Sequence, residues 1–287
     1  MNVLAFGEIL WDIIEGEHHL GGAPFNFAAH IVKCGGRASI LSAVGKDDLG
    51  SRALARAKEL GVDVSMVQRL DLPTGTVDVF LQDGQPDYTI HEGVAFDRIP
   101  EPAAWAVREG GFNVFYFGTL AQRDEVSRAT LTGLLEQNRF DYIFYDINLR
   151  KQFFSRAIIE SSLRHANIFK INDHEAETVS GLFYGSVLPM QEFCRRLAAD
   201  FNLLIIIITA AEKGCYLWFD GSLHHVPGKK VEVADAVGAG DSFSAAFLTV
   251  LLRKGVILEA AGVANQVGGF VASQRGAIPD YPADWRF

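Results

Sequence analysis

The sequence predicts an α/β fold, in which a doubly wound, mostly parallel sheet is flanked by helices and carries a small β lid. Short apolar runs typical of buried strands alternate along the chain with amphipathic helical patterns. The strand runs are apolar on both faces, as expected when helices cover a parallel sheet on both sides. With 287 residues, 49% of them hydrophobic and 21% charged, the chain is expected to form one α/β domain spanning residues 1–287.

Six apolar runs predict the strands of the central sheet. Each is four to six residues long, which is the usual length of a strand and too short for a buried helix. They lie at 3–6, 39–44, 114–117, 142–145, 168–171 and 203–208.

Helices are predicted between these strands. Asp47 can cap a helix whose apolar positions run from Leu49 to Leu60, and Gly61 supplies its stop. Two further helices are expected to begin after glycine clusters, one near Pro24 and one near Phe243. Three other segments carry the same helical periodicity, at 124–137, 173–180 and 190–199.

One segment breaks the alternation. Residues 76–81 alternate in polarity, an Asp83-Gly84 turn follows, and residues 88–91 read as a return strand. This hairpin is either a simple edge decoration or a lid over a ligand site. We expect lid segments at about 9–20 and 74–97.

Composition excludes several classes of protein. A net charge of -9 and the lack of any basic run argue against nucleic-acid binding and against binding to an anionic membrane. The longest apolar run, at 203–208, is far too short to span a bilayer. Three cysteines without Cys-x-x-Cys spacing fit reduced thiols. Residues 1–8 lack the pattern of a signal peptide, so we expect a cytoplasmic protein.

The run at 235–243, DAVGAGDSF, is the most informative motif of the chain. Gly238, Ala239 and Gly240 allow a tight turn into a helix, whose N-terminal amides and dipole suit an anion such as phosphate. Asp241 would repel that anion, so it fits a base that takes a proton from an attacking hydroxyl. The alternative is that Asp241 only caps the helix.

A second glycine cluster, GGAPFN at 21–26, also leads into a helix. Asn26 would lie in the first turn, where its amide could either bind a polyol or simply face solvent. Asp12 follows the first strand, and Asn148 and Arg150 follow the strand at 142–145. Ligands of open α/β sheets bind beyond the carboxyl ends of the strands, although lone residues there are often only turn formers.

Taken together, these motifs resemble the ribokinase or pfkB family of ATP-dependent carbohydrate kinases, and more narrowly its fructokinases. The resemblance extends from Gly7 to Pro279. It rests on GGAPFN at 21–26, GKDDLG at 45–50, DINLR at 146–150, NDHE at 172–175 and DAVGAGDSF at 235–243. The last of these is the most specific, and the resemblance implies a ribokinase-like fold.

The resemblance implies roles for individual residues. Asp241 would be the catalytic base, and Gly238, Ala239 and Gly240 would form the anion hole for the transferred phosphoryl group. The sugar would be held by the residues of the N-terminal and DINLR motifs, namely Asp12, Gly22, Asn26, Asn148 and Arg150.

The resemblance also implies sites for ATP and for metal ions. Asn172 and Glu175 would order magnesium, with Glu175 acting through water. Thr209 and Gly214 would lie near the phosphates, and Asn265 near the adenine. A potassium ion is implied at a loop built by Asp235 with carbonyl groups around Val271, Gln274 and Gly276.

One position departs from the family pattern. Where the family usually has Thr-x-Gly-x-x-Gly, this chain has Thr209-Ala210-Ala211-Glu212-Lys213-Gly214. Ala211 thus replaces a glycine, and we expect ATP binding to survive if the φ angle of Ala211 stays negative.

The predicted function is phosphorylation of a primary hydroxyl of a ketohexose by ATP, with fructose giving fructose 6-phosphate. Other acceptors in the same family stay open, above all 2-keto-3-deoxygluconate, because Arg150 could pair with its carboxylate, and also ribose or a nucleoside. A catalytically silent sugar- or nucleotide-binding relative is the alternative of a different class. Small molecules are the expected partners, and the lid is expected to mediate a homodimer.

Overall fold

The structure, a computed structural model, describes residues 1–82, 85–102, 104–285 and 287. Its strands are β1 (Asn2–Phe6), β2 (Leu10–Ile14), β3 (Glu17–Gly21), β4 (Arg37–Gly45), β5 (Val67–Leu70), β6 (Gly75–Gln82), β7 (Gln85–Ile90), β8 (Val114–Phe117), β9 (Tyr142–Asp146), β10 (Ile168–Asn172), β11 (Ile205–Thr209), β12 (Cys215–Phe219) and β13 (Ser222–Val226). Its α-helices are α1 (Ala23–Lys33), α2 (Asp48–Glu59), α3 (Ala104–Glu109), α4 (Glu125–Gln137), α5 (Arg156–His165), α6 (Asp173–Tyr184), α7 (Met190–Phe201), α8 (Ala239–Lys254) and α9 (Ile257–Ala272).

Nine of these strands form the central sheet, in the order β13-β12-β11-β10-β9-β8-β1-β4-β5. The pairs from β11 to β5 are parallel, whereas β12 and β13 extend the sheet in antiparallel fashion. The chain winds outward in both directions from β1, which lies between β4 and β8. This is the switch point of a doubly wound sheet, where the carboxyl ends of the strands leave a crevice for a ligand.

Helices cover both faces of this sheet, and β1 shows how. Val3 and Ala5 pack on one face with α1, α8 and α9, while Leu4 and Phe6 pack on the other face with α4 to α7. Alternate residues of a strand point to opposite faces, so a strand buried on both sides must be apolar throughout. The predicted fold class is therefore confirmed.

A second sheet of four strands, in the order β3-β2-β6-β7, lies apart from the central one. The strands β2 and β6 pair in parallel, which brings the two predicted lid segments into one sheet. The predicted Asp83-Gly84 turn between β6 and β7 lies outside the described residues. The function of this sheet as a lid stays a prediction.

The helix that Asp47 and Gly61 were predicted to delimit is observed as α2. The Asp47 side chain accepts a hydrogen bond from the Gly50 amide at 2.7 Å, and Gly61 ends the helix with a φ of +78°. The sequence did not predict α3, α5, α9, the edge strand β5 or the hairpin of β12 and β13. Within the described part of the chain, no helix is both long enough and apolar enough to cross a membrane.

Candidate active site

Asp241 lies at the N-terminus of α8, beside Asn26 at the start of α1. Gly238 is the residue before the helix and has a φ of +79°. A Cβ added there would lie 2.3 Å from the Ala277 carbonyl oxygen, so the turn requires glycine. In the described part of the chain no side chain caps this helix end, so the helix dipole and the amides of its first turn point towards space open to an anion, with the Ala239 amide donating to the Ala236 carbonyl oxygen at 3.3 Å. The described geometry thus fits the predicted anion hole at residues 238–240.

Asp241 lies in the first turn of α8, yet its carboxylate does not cap the helix. It is 8% exposed, and its Oδ2 accepts a hydrogen bond from Asn26 Nδ2 at 2.9 Å. Asn26 itself is buried in α1, which excludes the alternative that it faces solvent. Asn26 and Asp241, which are 215 residues apart in sequence, thus join the helices α1 and α8 by a hydrogen bond.

The surroundings of Asp241 shift its pKa into the range that suits a general base near neutral pH. Burial, followed by the negative charge of Asp146, raises the pKa of Asp241 to about 7. The hydrogen bond from Asn26 and the charges of Lys170 and Arg150 oppose that rise. A general base is most effective when its pKa lies near the working pH.

A buried ion pair lies behind Asp241, and sequence reasoning did not assign it a role. Lys170 Nζ contacts the two carboxylate oxygens of Asp146 at 2.9 and 2.8 Å. The hydroxyl groups of Tyr116 and Ser244 each donate to Asp146 Oδ2 at 3.0 Å. A Cβ on Gly240 would lie 3.4 Å from Lys170 Nζ, so the lysine also borders the N-terminal turn of α8. The available signal was a lone lysine in an otherwise apolar strand.

Three acidic side chains on the sugar side of the predicted site are affected by the charge of Arg150. The charge of Arg150 lowers the pKa values of Glu8, Asp12 and Asp241, although burial is the larger effect and leaves all three pKa values raised. For Asp12, burial raises the pKa to about 6. The Arg150 guanidinium donates to the Leu149 carbonyl oxygen at 3.1 Å. Sequence reasoning named Asp12 and Arg150 but missed Glu8.

The glycine pair before α1 allows these acidic side chains to approach the turn. A Cβ on Gly21 would lie 2.7 Å from Asp12 Oδ2, and a Cβ on Gly22 would lie 2.4 Å from the carbonyl oxygen of Glu8. Gly22 also has a φ of +107°, which a larger residue would adopt only with strain. Gly22 is therefore needed for the shape of the site, whatever it contacts in a ligand.

Several buried polar atoms here have no hydrogen-bond partner in the described part of the chain. Glu8 Oε2, Asn26 Oδ1 and Asn148 Nδ2 belong to residues at the sugar side, and Arg123 Nη1 belongs to the loop after β8. Leaving such a group unpaired costs about 1–3 kcal/mol, so native proteins usually pair it with water or a ligand. The donors and acceptors of these atoms match the hydroxyl groups of a sugar.

Asn172 and Glu175 form a capping box at the start of α6. Asn172 Oδ1 accepts the Glu175 amide at 2.8 Å, and Glu175 Oε2 accepts the Asn172 amide at 3.0 Å. Glu175 Oε1 accepts the Leu149 amide at 2.8 Å, which fixes the loop that carries Arg150. Each oxygen keeps a second lone pair, so the pair fits contact with hydrated magnesium, and this role stays a prediction. The described residues contain no cluster of three or more acidic, His or Cys side chains that could hold a metal directly.

A cleft of about 520 Å³ lies on the other side of the α8 N-terminus. Its walls include Thr209, Gly214 and Asn265, together with Ala239 and Gly240 of the predicted anion hole. Asn172 and Glu175, the other two residues predicted to bind the cofactor, do not line it. Asn265 Nδ2 donates to the carbonyl oxygens of Val226 and Pro227 at 3.0 and 3.3 Å, so it also fixes the chain after β13. A Cβ on Gly214 would lie 2.2 Å from the Val226 oxygen.

ATP binding was expected to tolerate Ala211 if its φ angle were negative, but the φ of Ala211 is +46°. The residue adopts the left-handed conformation that the glycine of the family pattern would take without strain. For an alanine this costs roughly 1–2 kcal/mol. Ala211 nevertheless lines the cleft beside Thr209 and Gly214.

Asp235 ties together the two segments of the predicted cation loop. Its Oδ1 accepts the Val237 amide at 3.0 Å, and its Oδ2 accepts the Gly276 amide at 3.1 Å. The Val271 carbonyl oxygen accepts the Gln274 amide at 3.0 Å. These bonds bring the four predicted residues into one loop pair, and cation binding there stays a prediction.

Comparison with known proteins identifies the family of this chain. Residues 4–284 match the family described as pfkB family carbohydrate kinase. A probable fructokinase-5 from Arabidopsis thaliana is 28% identical over 317 residues, with 98% of this chain and 94% of the relative covered. A fructokinase from Escherichia coli is 25% identical over 280 residues, with 91% and 88% covered.

Solved structures share the fold. A sugar kinase from Pyrococcus horikoshii in complex with ATP has a TM-score of 0.82 at 25% identity, with 97% of this chain and 94% of that chain covered. A fructokinase from Vibrio cholerae O395, solved with fructose, ADP and calcium, has a TM-score of 0.81 at 22% identity, with 96% and 94% covered. The second likeness concerns the fold alone.

Proposed function

The chain belongs to the pfkB family of carbohydrate kinases, and we propose that it transfers the γ-phosphoryl group of ATP to a primary hydroxyl of fructose, giving fructose 6-phosphate and ADP. One observation carries the proposal. The buried carboxylate of Asp241 lies at the uncapped N-terminus of α8, between the sugar-side residues and the 520 Å³ cleft. A base at this point adjoins an anion site, as phosphoryl transfer to an alcohol requires.

The proposed reaction proceeds in one displacement. Asp241 takes the proton of the sugar hydroxyl, whose oxygen forms a bond to the γ-phosphorus while the bond from that phosphorus to the β-γ bridging oxygen breaks. ADP leaves with the electron pair of the broken bond. The amides of residues 238–240 and the dipole of α8 stabilise negative charge on the transferred group. Removing one comparable donor in other enzymes costs about 10²–10³ in rate.

Two metal ions would assist this reaction, and residues already described would hold both of them. Asn172 and Glu175 would hold the water shell of a magnesium ion, which neutralises charge on the ATP phosphates when bound. Asp235 and the carbonyl groups of the 271–276 segment would hold potassium. Their hydrogen bonds to neighbouring amides leave carboxylate and carbonyl lone pairs available for that purpose.

The charges of the sugar side favour a neutral acceptor. Glu8, Asp12 and Asp241 outnumber Arg150, and none of the four has an ion-pair partner within 4 Å in the described part of the chain. A sugar acid would bring a further negative charge among three carboxyl groups. A second candidate, 2-keto-3-deoxygluconate, is favoured by one observation only, namely that Arg150 is exposed and free to pair with its carboxylate.

We also propose that the second sheet mediates a homodimer. Ile14 on β2 is 40% exposed and Phe80 on β6 is 45% exposed. Because Ile14 pairs with Val79, the two side chains lie on opposite faces of the sheet, and each face offers one exposed apolar side chain to a partner. Light scattering that gives the monomer mass of 31.5 kDa at micromolar concentration would contradict this part of the proposal.

A coupled assay of ADP release tests the proposed function. Fructose, ribose, 2-keto-3-deoxygluconate and adenosine are compared as acceptors, with and without potassium. We expect fructose to give the highest kcat/KM, and an Asp241→Asn variant to lose at least about 10³-fold in kcat while it remains folded. Equal turnover by the variant, or release of ADP with none of the acceptors, would refute the proposal.

A further inference from the structure

A buried histidine on α1 has no part in the mechanism above. His30 is fully buried and lies one helical turn after Asn26, the residue that donates to the Asp241 carboxylate. Residues four apart on a helix lie on the same face, so His30 is expected beside the same part of the molecule as Asn26. A buried imidazole also needs a hydrogen-bond partner for each of its two nitrogens, and the identity of these partners indicates what the residue does.

Both ring nitrogens of His30 contact the segment that follows α9. Nε2 lies 2.9 Å from the Ala277 carbonyl oxygen, and Nδ1 lies 2.6 Å from the hydroxyl group of Tyr281. A carbonyl oxygen can only accept, so Nε2 carries a proton and donates it to Ala277. Burial lowers the pKa of His30 to about 4, so the ring has only that one proton at neutral pH, and Nδ1 accepts from the Tyr281 hydroxyl.

The Ala277 carbonyl group that His30 binds also packs against the anion-hole turn. Its oxygen is 2.3 Å from the point that a Cβ on Gly238 would occupy, and the Ala277 Cα and carbonyl carbon are 2.8 and 2.9 Å from the same point. The Ala277 peptide therefore lies directly on the backbone of Gly238, the residue before α8. Because Gly238 has no side chain that could anchor the turn, this backbone contact limits where the turn can lie.

Further contacts hold the segment 276–281 in place on α1. The Gly276 amide, one residue before Ala277, donates to Asp235 Oδ2 of the predicted cation loop at 3.1 Å. Lys33 Nζ on α1 donates to Asp280 Oδ1 at 2.8 Å. The Tyr281 ring stacks on the His30 ring with 5.7 Å between the centroids. Within this set of contacts, the bond from His30 is the one made to the peptide that packs on Gly238.

We propose that His30 is a positioning residue for phosphoryl transfer, because its Nε2–H group holds the Ala277 carbonyl against Gly238 and so fixes the anion-hole turn relative to α1. This inference rests on the proposed kinase activity and extends it. One face of α1 then positions the base Asp241 through Asn26 and the anion hole through His30. Donors of an anion hole act on charge that develops only in the transition state, so displacing the turn lowers kcat without a matching rise in KM.

Two amide substitutions separate the bond to Ala277 from the bond to Tyr281. The terminal amide of glutamine reaches the position of Nε2 in histidine, whereas the amide of asparagine reaches only the position of Nδ1. His30→Gln can therefore still donate to Ala277, while His30→Asn can pair only with Tyr281. The matched control is Thr130→Val on α4, which packs on the other face of the sheet from α1. It removes a hydrogen bond of 2.8 Å from a buried side chain to the Ile99 carbonyl oxygen.

The measurements are kcat and KM for fructose and ATP, hydrogen–deuterium exchange of residues 236–243, and thermal unfolding. His30→Asn should lower kcat by roughly 10- to 100-fold, leave both KM values within about twofold, and speed exchange in 236–243 by at least about threefold. His30→Gln should keep kcat within about threefold of wild type and should exchange like wild type. His30→Asn and Thr130→Val should each lower the unfolding temperature by about 2–4 °C, but Thr130→Val should leave kcat within about twofold.

Either of two results overturns the inference. An equal loss of kcat in His30→Asn and His30→Gln would mean that altered packing, rather than the bond to Ala277, causes the loss. Wild-type exchange of residues 236–243 in His30→Asn would mean that His30 does not fix the turn. Wild-type protein that phosphorylates none of the acceptors would instead refute the proposed function, and the exchange measurement would still decide whether His30 holds the turn, so the two failures are distinguishable.

Discussion

The pH dependence of the reaction should respond in opposite directions to the two charges behind Asp241. With a pKa of about 7, half of Asp241 is in the basic form at pH 7, and only about one tenth at pH 6. The kcat/KM for sugar should therefore rise about tenfold from pH 5 to pH 6 and level off above pH 8. The charge of Asp146 raises this pKa, whereas the charge of Lys170 lowers it.

Single substitutions separate these two charges. A unit charge about 7 Å from a carboxyl group, at an effective dielectric constant of about 20, shifts its pKa by roughly one to two units. Asp146→Asn should move the acidic limb of the pH profile to lower pH by about one unit, and Lys170→Met should move it to higher pH by a similar amount. Each single variant leaves its buried partner unpaired, so each should also lose about 3–5 kcal/mol of stability.

The double variant Asp146→Asn/Lys170→Met provides the decisive comparison. Removing both charges should return the limb to within about 0.3 units of wild type and should recover much of the lost stability, because replacing a whole buried ion pair is often neutral. The assay is the kcat/KM for fructose between pH 5 and pH 9, with circular dichroism at each pH as the control for folding. Limbs that move in the same direction in both single variants, or no movement in either, would refute the electrostatic explanation of the Asp241 pKa.

Three further predictions follow from the same geometry. The pKa of Asp241 is about 7 in the folded protein and 3.8 ordinarily, so protonated Asp241 contributes stability at low pH that is lost as pH rises through 7. Asp241→Asn should therefore raise the unfolding temperature by several degrees at pH 8 and hardly at pH 4. An equal change at both pH values would contradict this. Gly238→Ala should lower kcat by roughly 100-fold, because the added methyl group would distort the anion hole. Its matched control is Gly255→Ala at the other end of α8, where φ is a similar +71° but a Cβ would meet open space, so Gly255→Ala should cost about 1–2 kcal/mol of stability and Gly238→Ala should cost more. Equal kcat values for the two variants would count against the anion hole. Ala211→Gly should relieve the strain of a left-handed alanine, stabilise the protein by about 0.5–1 kcal/mol and lower the KM for ATP. The control is Glu15→Gly, at an exposed residue with a φ of +50°, which should leave the KM for ATP unchanged. A higher KM for ATP in Ala211→Gly would contradict this prediction.

How far the sequence predicts the fold depends on whether a local signal exists for each element. The strand at 114–117 was predicted with its observed bounds, because four consecutive apolar residues are buried on both faces. The helix α9 was not predicted, since Gly262, Gly268 and Gly269 lower its helix propensity and it lacks a side-chain cap. The α8–α9 contact, which tertiary packing supplies, is not visible in the sequence of α9 alone.

The same distinction applies to the site. Gly238 and Asp241 could be located because they belong to one short motif with a physical rationale. The bond between Asn26 and Asp241 was not predicted, since no local pattern links residues so far apart. Glu8 and Lys170 were missed because a single polar residue at the end of a strand or within it does not reveal its partner. Their importance becomes visible only through burial and the charges that surround them.

The distribution of unpaired polar atoms gives the strongest structural argument that the sugar side is a binding site. Five buried side-chain atoms in the described part of the chain lack a hydrogen-bond partner, and four of them belong to residues that line the edge of the sheet beyond β1, β8 and β9 or the start of α1. The fifth, the hydroxyl of Ser42, lies within β4. If such atoms marked random imperfections of packing, they would be scattered through both cores of the molecule. Their concentration lies at the switch point of the sheet, which is where open α/β sheets bind their ligands, and it therefore supports the proposed position of the sugar.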